Sequence, residues 1–144
     1  MYKQFPFEAQ TIMQERFGHD TLIALATMDA DKPYVRTVNS YYEEGAFYVI
    51  TYALSNKMKQ IEQNSAVAIC GDWFTTHGVA ENLGHILDKK NADIAAKLKS
   101  AFASWYYNGH TDENDPNTCI LCIHLTDGLL LSRGTRYEID FTKK

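Results

Sequence analysis

A chain of 144 residues with a formal net charge of −4, 45% hydrophobic and 22% charged, is long enough for one domain with a real core and has a globular balance. The acidic total excludes a nucleic-acid backbone as the main partner, since that needs a basic face, and no apolar run approaches the roughly 20 residues of a membrane-spanning helix. Three cysteines, an odd number, argue against a disulfide framework. The opening Met1, Tyr2, Lys3, Gln4, Phe5, Pro6 lacks the apolar segment of a signal peptide, so a cytoplasmic location is expected.

In chain order, residues 7–17 have helical spacing and stop at Gly18, a normal C-terminal signal. Residues 21–28 (TLIALATM) are apolar on both faces, as in a strand covered on both sides. A turn around Asp29, Asp31 and Pro33 leads to a second strand at 34–42, and Glu43, Glu44 and Gly45 turn it into a third at 46–52. A helix is expected from Ser55 to about Asn64, with Met58 and Ile61 on its buried side. Strands follow at 66–73 and at about 75–86, the latter bent at Gly78 or Gly84.

Residues 88–106 read as the longest helix, with Ile94, Leu98, Ala101, Phe102 and Trp105 on one stripe of period 3.6. A polar loop at 109–117 precedes closing strands at 118–126, 129–133 and 135–141, the first two separated by a turn at Asp127 and Gly128. Many strands, few helices and tight turns favour a mainly β fold: one domain over 1–144, an antiparallel barrel with flanking helices.

The chemistry-bearing residues gather at two strand ends and one helix start. Arg36, Thr37 and Val38 lie in one expected strand, Ile50 and Thr51 close the next, and Ser55 and Lys57 open a helix. A guanidinium, two hydroxyls, an ammonium and exposed helix N–H groups together suit a phosphate dianion. Each residue alone has an ordinary structural explanation, Ser55 as a helix cap and Lys57 as a solvated side chain. The GxGxxG, GxxxxGK[ST] and GxSxG signatures are all missing. The five histidines are scattered, so no metal site is expected. Cys119 and Cys122 form a CxxC within an expected strand, where residues three apart face opposite sides and a redox or metal pair is not expected. Tyr41, Tyr42, Tyr48, Tyr52, Trp73, Trp105, Tyr106 and Tyr107 offer flat surfaces for a planar ring. A phosphate cradle beside aromatics fits a cofactor that brings its own chemistry.

The order TLIALATMDADKPYVRTVNSYYEEGAFYVITYALSNKMKQIEQNSAVAIC resembles the flavin-binding split barrel of pyridoxamine 5′-phosphate oxidase-like proteins. Arg36, Thr37 and Val38 are similar to that family's Arg-x-Val strand, and Thr51, Ser55, Lys57, Asn64 and Val67 fall in matching places of its strand–helix segment. The resemblance implies FMN bound at the interface of a homodimer. Arg36, Ser55 and Lys57 would hold the phosphate, and Val38, Asn39, Ile50 and Thr51 would face the ribityl chain and ring edge. The second subunit would supply the neighbourhood of Thr76 and His77, where the oxidase has a glutamine. Asn56 replaces the oxidase's second basic residue, and only Arg133 and Arg136 approach its C-terminal substrate residues. The expectation is therefore an FMN-dependent oxidoreductase acting on another small substrate, with NAD(P)H as the candidate donor, rather than a true pyridoxamine phosphate oxidase. The alternatives are a flavin-binding or storage module without turnover, or a haem or deazaflavin binder on the same barrel.

Overall fold

The computed structural model describes residues 3–143; Met1 and Tyr2, part of the segment read above for a leader, and Lys144 lie outside them. The strands are β1 (Lys3–Gln4), β2 (Thr21–Asp29), β3 (Lys32–Glu43), β4 (Ala46–Tyr52), β5 (Ala66–Gly71), β6 (Phe74–His85), β7 (Thr118–Ser132) and β8 (Thr135–Asp140). The helices are α1 (Phe7–Phe17), α2 (Asn56–Gln63), α3 (Ala92–Ala101) and α4 (Ala103–Tyr106), with a 3-10 turn at Lys89–Asn91. The strands follow the order β1-β8-β7-β4-β3-β2-β5-β6, and β6 also pairs with β7. That last pairing closes a six-stranded antiparallel barrel and leaves β8 and β1 as an extension of β7.

Two-residue turns set the register of four hairpins, and in two of them both turn residues have positive φ. Glu44 and Gly45 (φ 46° and 84°) join β3 to β4, and Arg133 and Gly134 (φ 48° and 80°) join β7 to β8. Paired positive φ values give the turn whose twist matches right-twisted strands.

Alternation along the strands fills the barrel. Ile23 and Leu25 of β2, Phe47 and Val49 of β4, Ile69 of β5 and Leu121, Ile123 and Leu125 of β7 all point inward. Helix α1 closes the end where β4 begins: Ala9, Met13 and Phe17 are fully buried, and the Phe17 ring meets Phe47 and Phe74 at 5.5 Å each. Helix α2 closes the end where β4 finishes, through Met58 and Ile61. A second core lies outside the barrel, where Ile86, Leu98, Phe102 and Tyr106 cover Ile120 of β7.

Three sequence expectations need correction. Asp127 and Gly128 do not form a turn, because β7 runs unbroken through them. Gly128 is there for close packing: an added Cβ would meet Phe141 Cε2 at 2.9 Å, and Phe74 Cε1 and the Thr75 carbonyl oxygen at 3.2 Å. Gly128→Ala is therefore expected to destabilise the fold by about 1–3 kcal/mol through overpacking, read as a lower denaturation midpoint.

The strand expected to reach Trp73 stops at Gly71, and Trp73 sits in the following turn at φ 51°. The helix expected at 88–106 is divided. Asn91, buried, donates from Nδ2 to the Leu83 and His85 carbonyls at 3.0 Å each and fixes its start. The chain then bends at Phe102 (φ −96°, ψ 15°). Beyond the bend, Phe102 and Trp105 stack at 4.8 Å, while the Trp105 indole N–H reaches Asp20 Oδ2 at 2.9 Å. The hydrophobic stripe was correctly placed; tertiary contacts broke the helix.

Candidate functional site

The barrel opens between β3 and β4. These strands pair only at Tyr41↔Tyr48, Tyr42↔Phe47 and Glu43↔Ala46. From there β3 continues alongside β2 and β4 continues alongside β7, so residues 36–39 and 50–51 border a gap. Main-chain N–H and C=O groups directed into it have no strand partner and are available to a ligand with hydrogen-bonding edges. Val38, Asn39, Ile50 and Thr51, all singled out in the sequence, border this split and are partly buried. Asn39 donates one amide N–H to Asp20 Oδ1 at 2.9 Å, which fixes its side chain beside the split. Tyr41, Tyr48, Ile50 and Trp105, all partly buried, pack against the second core.

At the α2 end of the gap, Arg36 and Lys57 come together. The Lys57 ammonium donates to Thr51 Oγ1 and to Ser55 Oγ, the latter at 3.3 Å. Arg36 Nη1 donates to the Leu25 carbonyl at 3.2 Å and to Thr27 Oγ1 at 2.7 Å, and Nη2 donates to Gln60 Oε1 at 3.1 Å. Burial lowers the pKa of both groups, and the Arg36 charge lowers that of Lys57 further. Every partner given is neutral, and among the described residues neither cation takes part in an ion pair. Two neighbouring, partly desolvated cations are uncomfortable without an anion.

Ser55 occupies the N-cap position of α2 but makes no side-chain cap bond. The first-turn N–H groups therefore keep their capacity for an anion. The donor set fits a phosphate: a fork, a point charge, two hydroxyls and a helix start.

Thr76 and His77 lie elsewhere in the chain. Thr76 points into the barrel, its hydroxyl donating to the Asp127 carbonyl at 2.7 Å. His77 stands outside, its Nδ1 2.8 Å from Asp127 Oδ1. It lines an external cleft of about 430 Å³ with Ala24, Ala26, Val35, Ala68 and Arg136. The two are thus not interchangeable: only His77 projects from the outer face. Cys119 belongs to the barrel core, while Cys122 contacts His124 across 3.6 Å on the other side of β7. Both thiols are free, and burial raises the pKa of each.

Sequence reading missed Thr27 and Gln60, which hold Arg36. Thr27 follows Ile23 and Leu25 at period two, so a hydroxyl was due at a core-facing position and needed a partner. Gln60 falls three residues after Lys57, on the same helical face.

Fold and site define a split-barrel protein with two partly desolvated cations at its opening. The chain belongs to the pyridoxamine 5′-phosphate oxidase family, whose model matches residues 10–132. No curated protein is significantly similar to it in sequence. Among solved structures, a NimC/NimA family protein of Clostridium acetobutylicum is 21% identical, with TM-score 0.69 and coverage of 92% of this chain and 94% of that one. A pyridoxamine 5′-phosphate oxidase-related, FMN-binding protein of Nostoc punctiforme is 20% identical, with TM-score 0.55 and coverage of 81% and 77%. A haem-binding protein of Mycobacterium smegmatis is 14% identical at TM-score 0.63; 86% of this chain matches 54% of that one. At these identities the likeness is one of fold. No helix among the described residues is long and apolar enough to cross a membrane.

Proposed function

We propose that the protein binds FMN at the split as a homodimer and acts as a flavin-dependent oxidoreductase on a small substrate. The observation that carries this reading is the pair Arg36 and Lys57, two partly desolvated cations with neutral partners only. Membership of the family supports it, as does the fold shared with a protein described as FMN binding. In this reading Arg36, Lys57 and Ser55 hold the phosphate. Val38, Asn39, Ile50 and Thr51 meet the ribityl chain and the ring edge, and Tyr41, Tyr48 and Trp105 keep water from that side. A bound flavin supplies hydride and electron transfer; the chain's own part is to bind, orient and shield. Asn56, exposed beside Lys57, removes a charge that the oxidase carries, so pyridoxamine phosphate is not the expected substrate. Three free cysteines fit a reducing, cytoplasmic setting.

A second copy of the chain would cover the outer face of β2, β3, β5 and β6, where Leu22, Val35 and Val79 are exposed at 60%, 71% and 45%. His77 would reach the neighbouring site from that face.

The test is the absorption spectrum and mass of whatever co-purifies, followed by anaerobic addition of NADH or NADPH. Flavin bands, FMN mass and bleaching by a nicotinamide are expected. A Soret band would give the site to haem, in line with the haem-binding relative. A flavin that neither nicotinamide reduces would make the protein a binding module. Robust pyridoxal phosphate production would make the protein a true pyridoxamine phosphate oxidase.

A further inference from the structure

The geometry points to Thr27 and Gln60 as positioning residues that hold Arg36 ready for a phosphate monoester while leaving its charge unneutralised; this rests on the phosphate-cradle reading above. Arginine has five N–H donors in a planar fork. Both Nη1 hydrogens are taken, by the Leu25 carbonyl and by Thr27 Oγ1, and one Nη2 hydrogen is taken by Gln60 Oε1. The Thr27 hydroxyl donates in turn to Gln60 Oε1 at 2.5 Å. These two oxygens therefore sit side by side across the end of the fork. What remains is Nε–H and the second Nη2–H, which lie along one edge. That edge is the one that meets two oxygens of a phosphate bidentately.

The chemistry of the holders is as telling as their placement. Thr27 is 1% exposed, so its hydroxyl has no solvent to fall back on and is committed to this bridge. All three acceptors are uncharged. A carboxylate at position 60 would hold the guanidinium at least as firmly, but it would neutralise Arg36. It would also lie one helical turn from Lys57 and draw on that charge too. An amide orients without neutralising, which suits a site whose counterion is the ligand. If the network served only to staple β2, β3 and α2 together, an acid at position 60 would do as well or better.

The decisive comparison is Gln60→Glu. Kd values for FMN and riboflavin are measured for the parent, Gln60→Glu, Thr27→Val, Thr27→Ser and Arg36→Ala, with folding checked by circular dichroism and thermal melts. Gln60→Glu is expected to melt no lower than the parent without ligand, yet to lose the preference for FMN over riboflavin by about tenfold or more, about 1.4 kcal/mol. Thr27→Val should lose it as well, and Thr27→Ser should keep it. If Arg36→Ala abolishes the preference while Gln60→Glu and Thr27→Val match the parent, the positioning role is overturned and the cradle stands. If Arg36→Ala leaves the preference intact, the cradle reading falls and the positioning role with it.

Discussion

Replacing Arg36 or Lys57 with alanine is expected to weaken FMN binding by about 1.5–3 kcal/mol, the range for a hydrogen bond to a charged group. Riboflavin should bind the parent weakly and respond little to either change. The reason lies in what the two cations lack. Burial and mutual repulsion lower the Lys57 pKa, so without a ligand its charge is partly a liability. A phosphate dianion converts that repulsion into attraction by both groups at once. The two losses should therefore not be additive, because removing either cation also removes the repulsion that the anion was relieving. Isothermal titration with both ligands, on both single variants and the double variant, measures this. Equal losses for FMN and riboflavin would remove the phosphate from the cradle and leave Arg36 a structural residue of β3.

The legible part of this site was the part written locally. Arg36, Thr51, Ser55 and Lys57 could be read as one group because a two-residue turn and a short loop connect β3, β4 and α2, so sequence neighbours become spatial ones. Short strands joined by tight turns gave the barrel for the same reason. Gln60 and Thr27 were hidden because their meeting spans 33 residues, and nothing local shows that one hydroxyl and one amide will share a guanidinium. The bend at Phe102 was hidden likewise: the stripe of period 3.6 continues through it, and only the reach of Trp105 to Asp20 across the fold accounts for it. Gly128 illustrates the opposite error. Beside an aspartate it reads as a turn, whereas its lack of a side chain makes room for Phe74 and Phe141. Thr76 and His77 differ by one residue and so face opposite sides of β6, which separates a buried structural hydroxyl from a side chain free to meet a partner.

The outer face supplies the other large expected effect. The parent should be a dimer at micromolar concentration, and Val35→Glu or Val79→Glu should make it a monomer that has lost its flavin. Strand β3 serves two purposes at once. Arg36 points toward the cradle, whereas Val35, 71% exposed, points outward over the cleft that also holds Ala24, Ala26 and Ala68. Small and apolar side chains over such an area are costly to leave in water. A two-fold dimer would bring the same face of a second copy against it. Symmetry then places each introduced carboxylate in the interface twice. An uncompensated buried charge costs about 3–5 kcal/mol, so two would dissociate a dimer of ordinary size. Val35 adjoins Arg36, and a glutamate there would also bear on the cradle electrostatically. Val79 is on β6, away from Arg36 in the sheet order, and separates the two causes. Light scattering gives the mass, and the flavin-to-protein absorbance ratio gives the occupancy. If Val79→Glu is monomeric and still holds FMN as tightly as the parent, a single chain completes the site and the partner's wall is not needed. If it remains a dimer, the interface lies on another face, and His77 has no route to the neighbouring split.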